Sequence, residues 1–208
     1  MELVKTIYSD FDGTITKKDA VNTFFEMYAP KKWLEYEKLW VEGKITSREN
    51  AIKQVALLKN ISQQMLDDYI NSIEIDEHFV EFYNFIKTQG TELIVLSDGF
   101  DLFIEKVLEK HNIIDVKIFA NRLTYNNGSF EIKFPHFDDS CKIGAGMCKC
   151  GKIKEADYWY IGDGVSDLCV AKNSKHLFAT KYLAKYCDER NIKHTKFNTF
   201  GDILAYIK

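Results

Sequence analysis

Four short apolar runs, each followed at once by a polar, turn-forming cluster, constrain the fold of this chain more than any other feature. The runs cover residues 3–8, 92–96, 158–161 and 176–179. Runs of this length, rich in Ile, Val and Tyr, are typical of strands buried on both faces of a parallel sheet. Because helix-like segments separate them, we predict an α/β fold with a mostly parallel sheet.

A long helical segment interrupts this alternation. Residues 16–76, between the first and second predicted strands, show helical periodicity, with Ser47 and Ser62 as candidate N-caps. A strand–helix–strand crossover needs only about a dozen residues. We therefore expect an all-helical cap over residues 16–76, inserted into a core formed by residues 1–15 and 77–208.

Two further patterns belong to the predicted core. Residues 77–89 are expected to form the crossover helix, which ends before Gly90. In residues 122–134, apolar and polar side chains alternate on either side of Asn126-Asn127-Gly128. Asn-Gly supplies the positive φ angles of a type I′ turn, so this segment predicts a β-hairpin.

The composition is that of one ordinary soluble domain. The 28 Lys and Arg residues nearly balance 31 Asp and Glu residues, which argues against nucleic acid or an acidic membrane as a partner. No segment approaches the ~18 apolar residues of a spanning helix, and the N-terminus lacks a signal-peptide pattern. Five cysteines without an export signal favour the reducing cytoplasm. A monomer and a homodimer are both compatible with the sequence.

The first predicted strand runs into two aspartates. Asp10 and Asp12 flank Phe11 and precede Gly13 and Thr14. Two carboxylates that face one cavity repel each other unless a cation or a shared proton intervenes, and Mg²⁺ prefers such oxygens. One aspartate can then serve as a nucleophile and the other as general acid and base. The alternative is that Asp-Gly marks a turn in a solvated loop.

The second and third predicted strands also end in polar clusters. Ser97-Asp98-Gly99 follows the second strand and is expected to open a helix, where a hydroxyl and free amides suit a phosphate oxygen. Residues 162–167 follow the third strand, and Asp163 could complete a metal shell with Asp167 one turn further on. The alternatives are an N-cap and a tight turn. Since ligands bind at the carboxyl ends of parallel strands, the clusters predict one shared site.

The order of these clusters resembles the haloacid dehalogenase superfamily of phosphohydrolases. Residues 10–14, Ser97 and residues 162–167 resemble its first, second and fourth motifs. The helical insertion occupies the position of that superfamily's first type of cap. The resemblance covers the whole chain and implies a Rossmann-like core, a small phosphorylated metabolite as substrate, Mg²⁺ as cofactor and an aspartyl-phosphate intermediate.

The resemblance also implies roles for the acidic residues. Asp10 is implied to be the nucleophile, and Asp12 the general acid and base. Mg²⁺ is implied to bind Asp10, Asp163 and the backbone carbonyl of Asp12. Thr14 and Asp167 are implied to support this arrangement.

A third-motif lysine is implied to hold the phosphoryl oxygens together with Ser97, beside the substrate-binding positions Asp98 and Gly99. In a phosphatase subgroup that this chain resembles, the lysine stands in a Cys-Lys pair before a short helix. That pattern favours Lys149, with Ile153 as the first apolar residue of the helix. The other candidates are Lys152 and Lys142.

The chain resembles two groups of the superfamily, and each group implies a different substrate. Phosphoserine phosphatases resemble this chain in the cap, but they imply an acid nine residues after the nucleophile and a cap arginine for the substrate carboxylate. Asp19 occupies the first position and Ile52 the second. Because arginine is hard to replace in binding a carboxylate, phosphoserine is disfavoured.

The better resemblance is to the methionine-salvage enol-phosphate phosphatases, together with the phosphoethanolamine and phosphocholine phosphatases. It rests on three segments: Tyr28-Ala29-Pro30, Ser47-Arg48-Glu49, and Pro135-His136 followed by the cysteine-bearing loop. Asp98 departs from this group, which usually has glycine there. Arg48 is a candidate substrate contact, and the alternative is a solvated helix arginine.

Other interpretations stay open at this point. Cys141, Cys148 and Cys150, with His136 nearby, could bind zinc, although they lack clean Cys-x-x-Cys pairs, and free thiols are the alternative. Four aromatic residues either line a substrate pocket or form the core of the cap: Phe24, Phe25, Trp33 and Trp40. The alternative functions are a phosphotransferase or mutase and a catalytically inactive phosphate-binding protein.

Overall fold

A seven-stranded sheet forms the centre of the computed structural model, which describes residues 3–141 and 143–208. The strands are β1 Thr6–Ser9, β2 Glu92–Phe100, β3 Lys117–Asn126, β4 Ser129–Lys133, β5 Tyr158–Gly162, β6 His176–Ala179 and β7 Thr195–Lys196. Their order in the sheet is β4-β3-β2-β1-β5-β6-β7, and only β3 and β4 pair antiparallel. The predicted α/β fold with a mostly parallel sheet is confirmed.

The four predicted strands correspond to β1, β2, β5 and β6, but β2 is longer than predicted. It runs to Phe100, and its register with β3 shifts between Leu96 and Phe100. Ser97-Asp98-Gly99 therefore lies in the irregular last part of β2. The predicted helix, expected near Phe100 to His111, is confirmed as α6 Asp101–Lys110, but it begins after Phe100, so Ser97-Asp98-Gly99 ends a strand and does not start the helix.

Four helices lie between β1 and the crossover helix: α1 Ala20–Tyr28, α2 Trp33–Val41, α3 Ser47–Val55 and α4 Gln63–Ser72. The two ends of this helical segment lie side by side. Thr16 and Ile75 form an isolated antiparallel bridge, and the N–H of Asp76 donates to the carbonyl of Ile15 at 2.8 Å. The segment that leaves the sheet after β1 and the segment that leads back towards it are therefore hydrogen-bonded to each other.

Side-chain caps fix where two of these helices begin. The hydroxyl of Ser62 accepts from the N–H of Met65, as predicted. Helix α3 is capped by Thr46, one residue before the predicted Ser47. Thr46 and Glu49 form a reciprocal capping box, which satisfies two backbone donors at once and explains the earlier cap.

The remaining helices are α5 Phe79–Thr88, α7 Leu168–Ala171, α8 Lys181–Glu189 and α9 Phe200–Ile207, and a 3-10 turn covers Val165–Asp167. Helix α5 is the predicted crossover helix, and Gly90 follows it with a φ of +74°. Within the described residues, no helix has the length and apolar character needed to cross a membrane.

Aromatic packing joins the inserted helices to the rest of the molecule. The ring of Phe24 is fully buried, and its centroid lies 4.8 Å from that of Tyr69 in α4 and 5.1 Å from that of Phe103 in α6. Phe25 and Trp33 are buried in the same core cluster. These three predicted aromatic residues therefore belong to the core.

The predicted hairpin is confirmed. Strands β3 and β4 pair from Arg122 with Lys133 to Asn126 with Ser129. The two turn residues, Asn127 and Gly128, have φ angles of 44° and 90°, as a type I′ turn requires.

The connection between β4 and β5 is a long loop. Its described residues, 134–141 and 143–157, form no helix or strand, so the short helix predicted after Lys149 was wrong. Strand β7 was not predicted, because its two residues carry too little pattern.

Candidate active site

A cavity of about 230 Å³ lies between the carboxyl ends of β1, β2 and β5 and the helices α2 and α3. The strand ends contribute Asp10, Asp12, Ser97 and Asp163 to its lining. The inserted helices contribute Glu37, Trp40, Ser47, Asn50 and Gln54. The three polar clusters that the sequence placed at separate strand ends therefore meet at one cavity.

Asp10 follows β1 directly and is buried. Its Oδ1 accepts from the N–H of Phe11 at 2.7 Å and lies 2.9 Å from the Nζ of Lys149. Burial raises the pKa of Asp10 well above its ordinary value, Lys149 opposes the rise, and the charges of Asp167 and Asp163 add to it. A cation near this carboxyl group would therefore favour its ionised, nucleophilic form.

Lys149 is only 1% exposed, and its Nζ lies 2.6 Å from Asp167 Oδ1 as well as 2.9 Å from Asp10 Oδ1. Burial alone would lower the pKa of Lys149, but the charges and hydrogen bonds of the two aspartates raise it, so the amine stays protonated. Lys152 lies elsewhere, with its Nζ 5.4 Å from the centroid of the Phe119 ring. Lys142 lies outside the described residues. Of the described candidates, the structure thus brings Lys149 to Asp10.

Asp167 orients Lys149 through a saturated set of hydrogen bonds. Its Oδ2 accepts from the backbone N–H groups of Asp163 and Gly164, each at 2.9 Å. Its Oδ1 accepts from the hydroxyl of Tyr160 at 2.6 Å, in addition to Lys149. Tyr160 was not predicted, and its signal in the sequence is only a hydroxyl-bearing residue on a buried strand, two positions before a glycine.

The carboxylates form a set that suits a divalent cation. Asp10, Asp163 and Asp167 each offer one oxygen, and these oxygens all lie within 4.8 Å of one another. Burial raises the pKa of Asp163, and the charge of Asp167 adds to the rise. Repulsion among buried carboxylates is relieved by a bound cation, and Mg²⁺ prefers carboxylate oxygens. Asp10 and Asp163 are the better ligands, because each oxygen of Asp167 already accepts two hydrogen bonds.

Two further side chains contact Asp163. The hydroxyl of Thr14 donates to its Oδ1 at 3.3 Å, and the Nζ of Lys181 lies 3.1 Å from its Oδ2. Lys181 also donates to the carbonyl of Gly13. Lys181 was not predicted as a site residue. It follows β6 with a φ of +45°, a backbone conformation that cannot be read from the sequence.

Asp12 lies in a different environment from Asp10. Its Oδ1 accepts from the N–H of Ala20 at 3.0 Å, and the hydroxyl of Ser97 donates to its Oδ2 at 3.3 Å. Burial raises the pKa of Asp12 to about 8, and the charge of Asp19 adds to the rise. Asp12 thus faces the inserted helices, whereas Asp10 faces the buried lysine. Two acids in unlike surroundings can divide the roles of proton donor and nucleophile.

Position 99, next to Asp12 and Ser97, has no room for a side chain. A Cβ atom built on it would lie 2.1 Å from Asp12 Oδ2 and 3.0 Å from Ser97 Oγ. We expect Gly99→Ala to displace these atoms and to lower kcat by about 100-fold, since a misplacement of about 1 Å has that effect. The measurement is steady-state hydrolysis of p-nitrophenyl phosphate.

Gly43→Ala is the matched control for this prediction. Gly43 has a φ of +69° but open space around its Cβ position, outside the cavity lining. Its replacement should lower the free energy of unfolding by about 1–2 kcal/mol and leave kcat unchanged. A Gly99→Ala enzyme with wild-type kcat would contradict the assignment.

Asp98 links three parts of the site. Its Oδ1 accepts from Asn121 Nδ2 at 3.0 Å and from the N–H of Met147 at 2.9 Å. The hydroxyl of Ser47 in α3 donates to its Oδ2. Asp98 thereby connects β2 to β3, to the loop that carries Lys149 and to the inserted helices. Its predicted contact with substrate stays a prediction, and Asn121 was not predicted.

The two residues predicted in the helical insertion lie in different places. Asp19 lines the cavity and caps α1, where its Oδ1 accepts from the N–H of Asn22 at 2.8 Å. Burial raises its pKa to about 6. Arg48 is not among the described residues that line the cavity, and its guanidinium lies 4.4 Å from the ring centroid of Phe137 and 5.3 Å from that of Phe134. Its role as a substrate contact stays a prediction.

The chain is similar to known phosphatases in sequence. A 2-hydroxy-3-keto-5-methylthiopentenyl-1-phosphate phosphatase from Brevibacillus brevis is 31% identical, over 97% of this chain and 94% of the relative. A relative with the same name from Bacillus pumilus is 33% identical, over 94% of this chain and 87% of the relative.

Solved structures show the same fold. A substrate-bound phosphoserine phosphatase complex matches with a TM-score of 0.72 and 25% identity, covering 100% of both chains. A phosphoserine phosphohydrolase-like protein from Francisella tularensis matches with a TM-score of 0.69 and 21% identity, over 99% of this chain and 100% of that chain.

A family model places these similarities in one group. The model, described as haloacid dehalogenase-like hydrolase, matches residues 7–172 and so includes the three polar clusters, the helical insertion and Lys149. The relatives match over nearly the whole chain at more than 30% identity. The chain is therefore an enzyme of the haloacid dehalogenase-like hydrolase family.

Proposed function

We propose that this enzyme hydrolyses phosphate monoesters through an aspartyl-phosphate intermediate on Asp10, with Mg²⁺ as its cofactor. The observation that carries the proposal is the contact of 2.9 Å between Asp10 Oδ1 and the buried Nζ of Lys149, beside Asp12 and Asp163. A carboxylate oriented by a buried cation next to a second acid suits nucleophilic catalysis. The phosphatase relatives support the same reaction class.

The reaction divides into two steps. First, a carboxylate oxygen of Asp10 attacks phosphorus, the bond between phosphorus and the ester oxygen breaks, and Asp12 protonates the departing alkoxide. Second, Asp12 removes a proton from water, the water oxygen attacks phosphorus, and inorganic phosphate leaves with Asp10 restored as a carboxylate. Ser97, which lines the cavity, holds a phosphoryl oxygen in both steps, and the buried Lys149 offsets negative charge around Asp10 and the phosphoryl group.

The proposed role of the metal is to neutralise negative charge. Bound by Asp10, Asp163 and the backbone carbonyl of Asp12, Mg²⁺ would neutralise negative charge on the transferred phosphoryl group. Lys181 and Thr14 hold the Asp163 carboxylate in place.

The helical segment acts as a cap in this proposal. We assign residues 16–76 to the cap and residues 1–15 and 77–208 to the core, which agrees with the bridge between Thr16 and Ile75 at the entry and exit of the segment. Helices α2 and α3 supply one wall of the cavity, and Ser47 in α3 contacts Asp98 in β2. A wall of this kind excludes bulk water from the reacting groups.

The substrate that we propose is 2-hydroxy-3-keto-5-methylthiopentenyl-1-phosphate, a small metabolite of the cytoplasm. The names of the relatives support it, and so does the cavity lining. None of the described residues that line the cavity is Arg or Lys, which leaves no exposed cation for the carboxylate of phosphoserine. Trp40, Val21 and Ala51 offer apolar surface for a methylthio group. Asn50 Oδ1 is buried without a hydrogen-bond partner among the described residues and could accept from a substrate hydroxyl.

A panel of phosphate esters tests the reaction and the substrate together. We expect phosphate release from p-nitrophenyl phosphate only with Mg²⁺ present. We expect kcat/KM for the enol phosphate to exceed that for phosphoserine, phosphoethanolamine and phosphocholine by at least about tenfold, because pocket contacts discriminate by about 10–200-fold.

The other outcomes of this panel are also informative. A preference for phosphoethanolamine or phosphocholine would overturn the substrate and point to Asp19 and Glu37 as partners of a cationic group, since both line the cavity. If the enzyme hydrolyses none of the esters in the presence of Mg²⁺, the proposed phosphatase activity is wrong. Incorporation of oxygen from labelled water into phosphate separates hydrolysis from transfer to a second ester.

A further inference from the structure

Four of the five cysteines lie next to one another beside Lys149. The sulfurs of Cys148 and Cys150 are 3.5 Å apart. Burial raises the pKa of Cys148 and of Cys150, and the neighbouring thiols of Cys141 and Cys169, respectively, add to the rise, so these two thiols also lie nearby. We call the four residues, in the order Cys141, Cys148, Cys150 and Cys169, the cysteine row. All of these thiols are free, and the proposed reaction uses none of them.

The cysteine row joins two separate parts of the chain. Three members lie on the loop between β4 and β5, and two of these, Cys148 and Cys150, flank Lys149 directly. The fourth, Cys169, lies in α7, two residues after Asp167. Spacing along the sequence pointed only to the loop cysteines, because Cys169 is nineteen positions beyond Cys150. The fold adds it to the row.

The loop requires precise positioning but has little regular structure. Its described residues, 134–141 and 143–157, form no helix or strand, although Lys149 must lie between two buried aspartates. Loops of this length without secondary structure are uncommon in compact domains. The N–H of Met147 bonds to Asp98 Oδ1, and that of Cys148 bonds to the carbonyl of His136. Both contacts are made by residues that precede Lys149 in the sequence. The thiols of Cys148 and Cys150, in contrast, lie immediately before and after it.

We propose that the cysteine row binds one thiophilic divalent metal ion of the Zn²⁺ type, which fixes the loop that carries Lys149. Four thiolates give a closed tetrahedral site with Zn–S bonds of about 2.3 Å, which places the sulfurs roughly 3.8 Å apart. The separation of Cys148 and Cys150, 3.5 Å, is close to that spacing. Binding releases the thiol protons, and each thiolate donates an electron pair to the metal.

The four sulfurs of the cysteine row must move closer together to bind one ion. Among the described residues, the aspartates of the active site form the one group of three or more possible ligands whose atoms all lie within 4.8 Å of one another, so the outer sulfurs must move inward. Cys150 is exposed and Cys141 and Cys169 are half-buried. Cys169 Sγ would exchange its weak hydrogen bond to the carbonyl of Ser166, at 3.7 Å, for the metal. Closure would hold the loop against α7, and thus keep Lys149 Nζ at its distance of 2.6 Å from Asp167 Oδ1.

The chemistry of the ligands separates this site from the aspartate site. Carboxylate oxygens select hard cations such as Mg²⁺, and thiolates select soft ones. Four protein ligands leave no open position, so the ion has a structural role. The four cysteines lie outside the proposed catalytic set, and metal binding by them does not depend on which substrate the enzyme hydrolyses.

Cobalt titration in excess Mg²⁺ tests the site without any activity measurement. Mg²⁺ blocks the aspartates, and Co²⁺ bound to thiolates produces a charge-transfer absorption that carboxylate ligands do not. We expect this absorption to saturate at one Co²⁺ per chain and to disappear when one equivalent of Zn²⁺ is added. Cys169→Ser should weaken zinc binding by at least about 100-fold, because loss of a partner even outside the ligands weakens metal sites by about 10–100-fold.

Cys187→Ala is the matched control, because Cys187 lies in α8 and is not in the row. It should bind metal as the wild type does, and zinc should slow tryptic cleavage after the exposed Lys154 in both proteins but not in Cys169→Ser. Absence of thiolate absorption, equal metal affinity in Cys169→Ser, or a disulfide between members of the row in the freshly purified enzyme would each overturn the proposal.

Discussion

The Asp10→Asn enzyme is expected to hydrolyse phosphate esters at least about 10⁴-fold more slowly than the wild type, the scale of loss seen when a nucleophile is removed. An amide oxygen is a weak nucleophile, so no acyl phosphate forms. Asparagine keeps the shape of aspartate and an oxygen that can accept from the N–H of Phe11. The measurement is kcat for p-nitrophenyl phosphate in excess Mg²⁺, with thermal unfolding as the check on the fold.

The exposed Asp68 in α4 provides the matched acid-to-amide control. Asp68→Asn should leave both kcat and the unfolding temperature unchanged, because surface substitutions away from a site have small effects. An Asp10→Asn enzyme that folds and retains most of its activity would remove Asp10 as the nucleophile and leave only its contribution to metal binding.

Replacing Lys149 by methionine is expected to lower kcat by about 10²–10³-fold, as removal of a group that stabilises developing charge does. It should also lower the free energy of unfolding by about 3–5 kcal/mol, because Asp10 and Asp167 would lose their buried cation. Kinetics at a temperature below the unfolding transition separates the two effects.

Lys152→Met is the control, since the Lys152 amine lies over the ring of Phe119 and away from the aspartates. We expect it to leave kcat and stability close to wild type. If Lys152→Met alone abolished activity while Lys149→Met did not, the assignment of the third-motif lysine would be wrong.

Much of the sheet could be predicted, because buried parallel strands are marked locally by short apolar runs. Strand β6 has its predicted bounds, and the hairpin turn follows from Asn127-Gly128 alone. The end of β2 could not be predicted in this way. Ser97-Asp98-Gly99 has the composition of a helix start, but pairing with β3 resumes at Phe100 and holds the segment in the sheet. Tertiary pairing overrode the local preference.

The site residues that belong to contiguous sequence motifs were predicted. Single residues that only the fold brings to the site were missed. The clusters around Asp10, Ser97 and Asp163 were all found, and the structure brings them to one cavity. Tyr160 and Lys181 were missed, because each acts through one contact with an aspartate that only the folded chain creates.

The choice among lysines shows the same limit. Spacing left Lys149 and Lys152 three positions apart, in a segment expected to lead into a helix. No helix forms there, so helical register could not have separated them. The buried pair of aspartates separates them in the structure, because only one of the two amines reaches it.

Mass spectrometry of the Asp12→Asn enzyme tests most directly whether the reaction passes through an aspartyl phosphate on Asp10. The p-nitrophenolate ion leaves without help from an acid, so the first step continues, whereas the second step slows because no base activates water. After acid quenching during turnover, we expect one phosphoryl group per chain on the peptide that contains Asp10. A phosphoryl group on any other residue, or turnover with no phosphorylated enzyme, would contradict it.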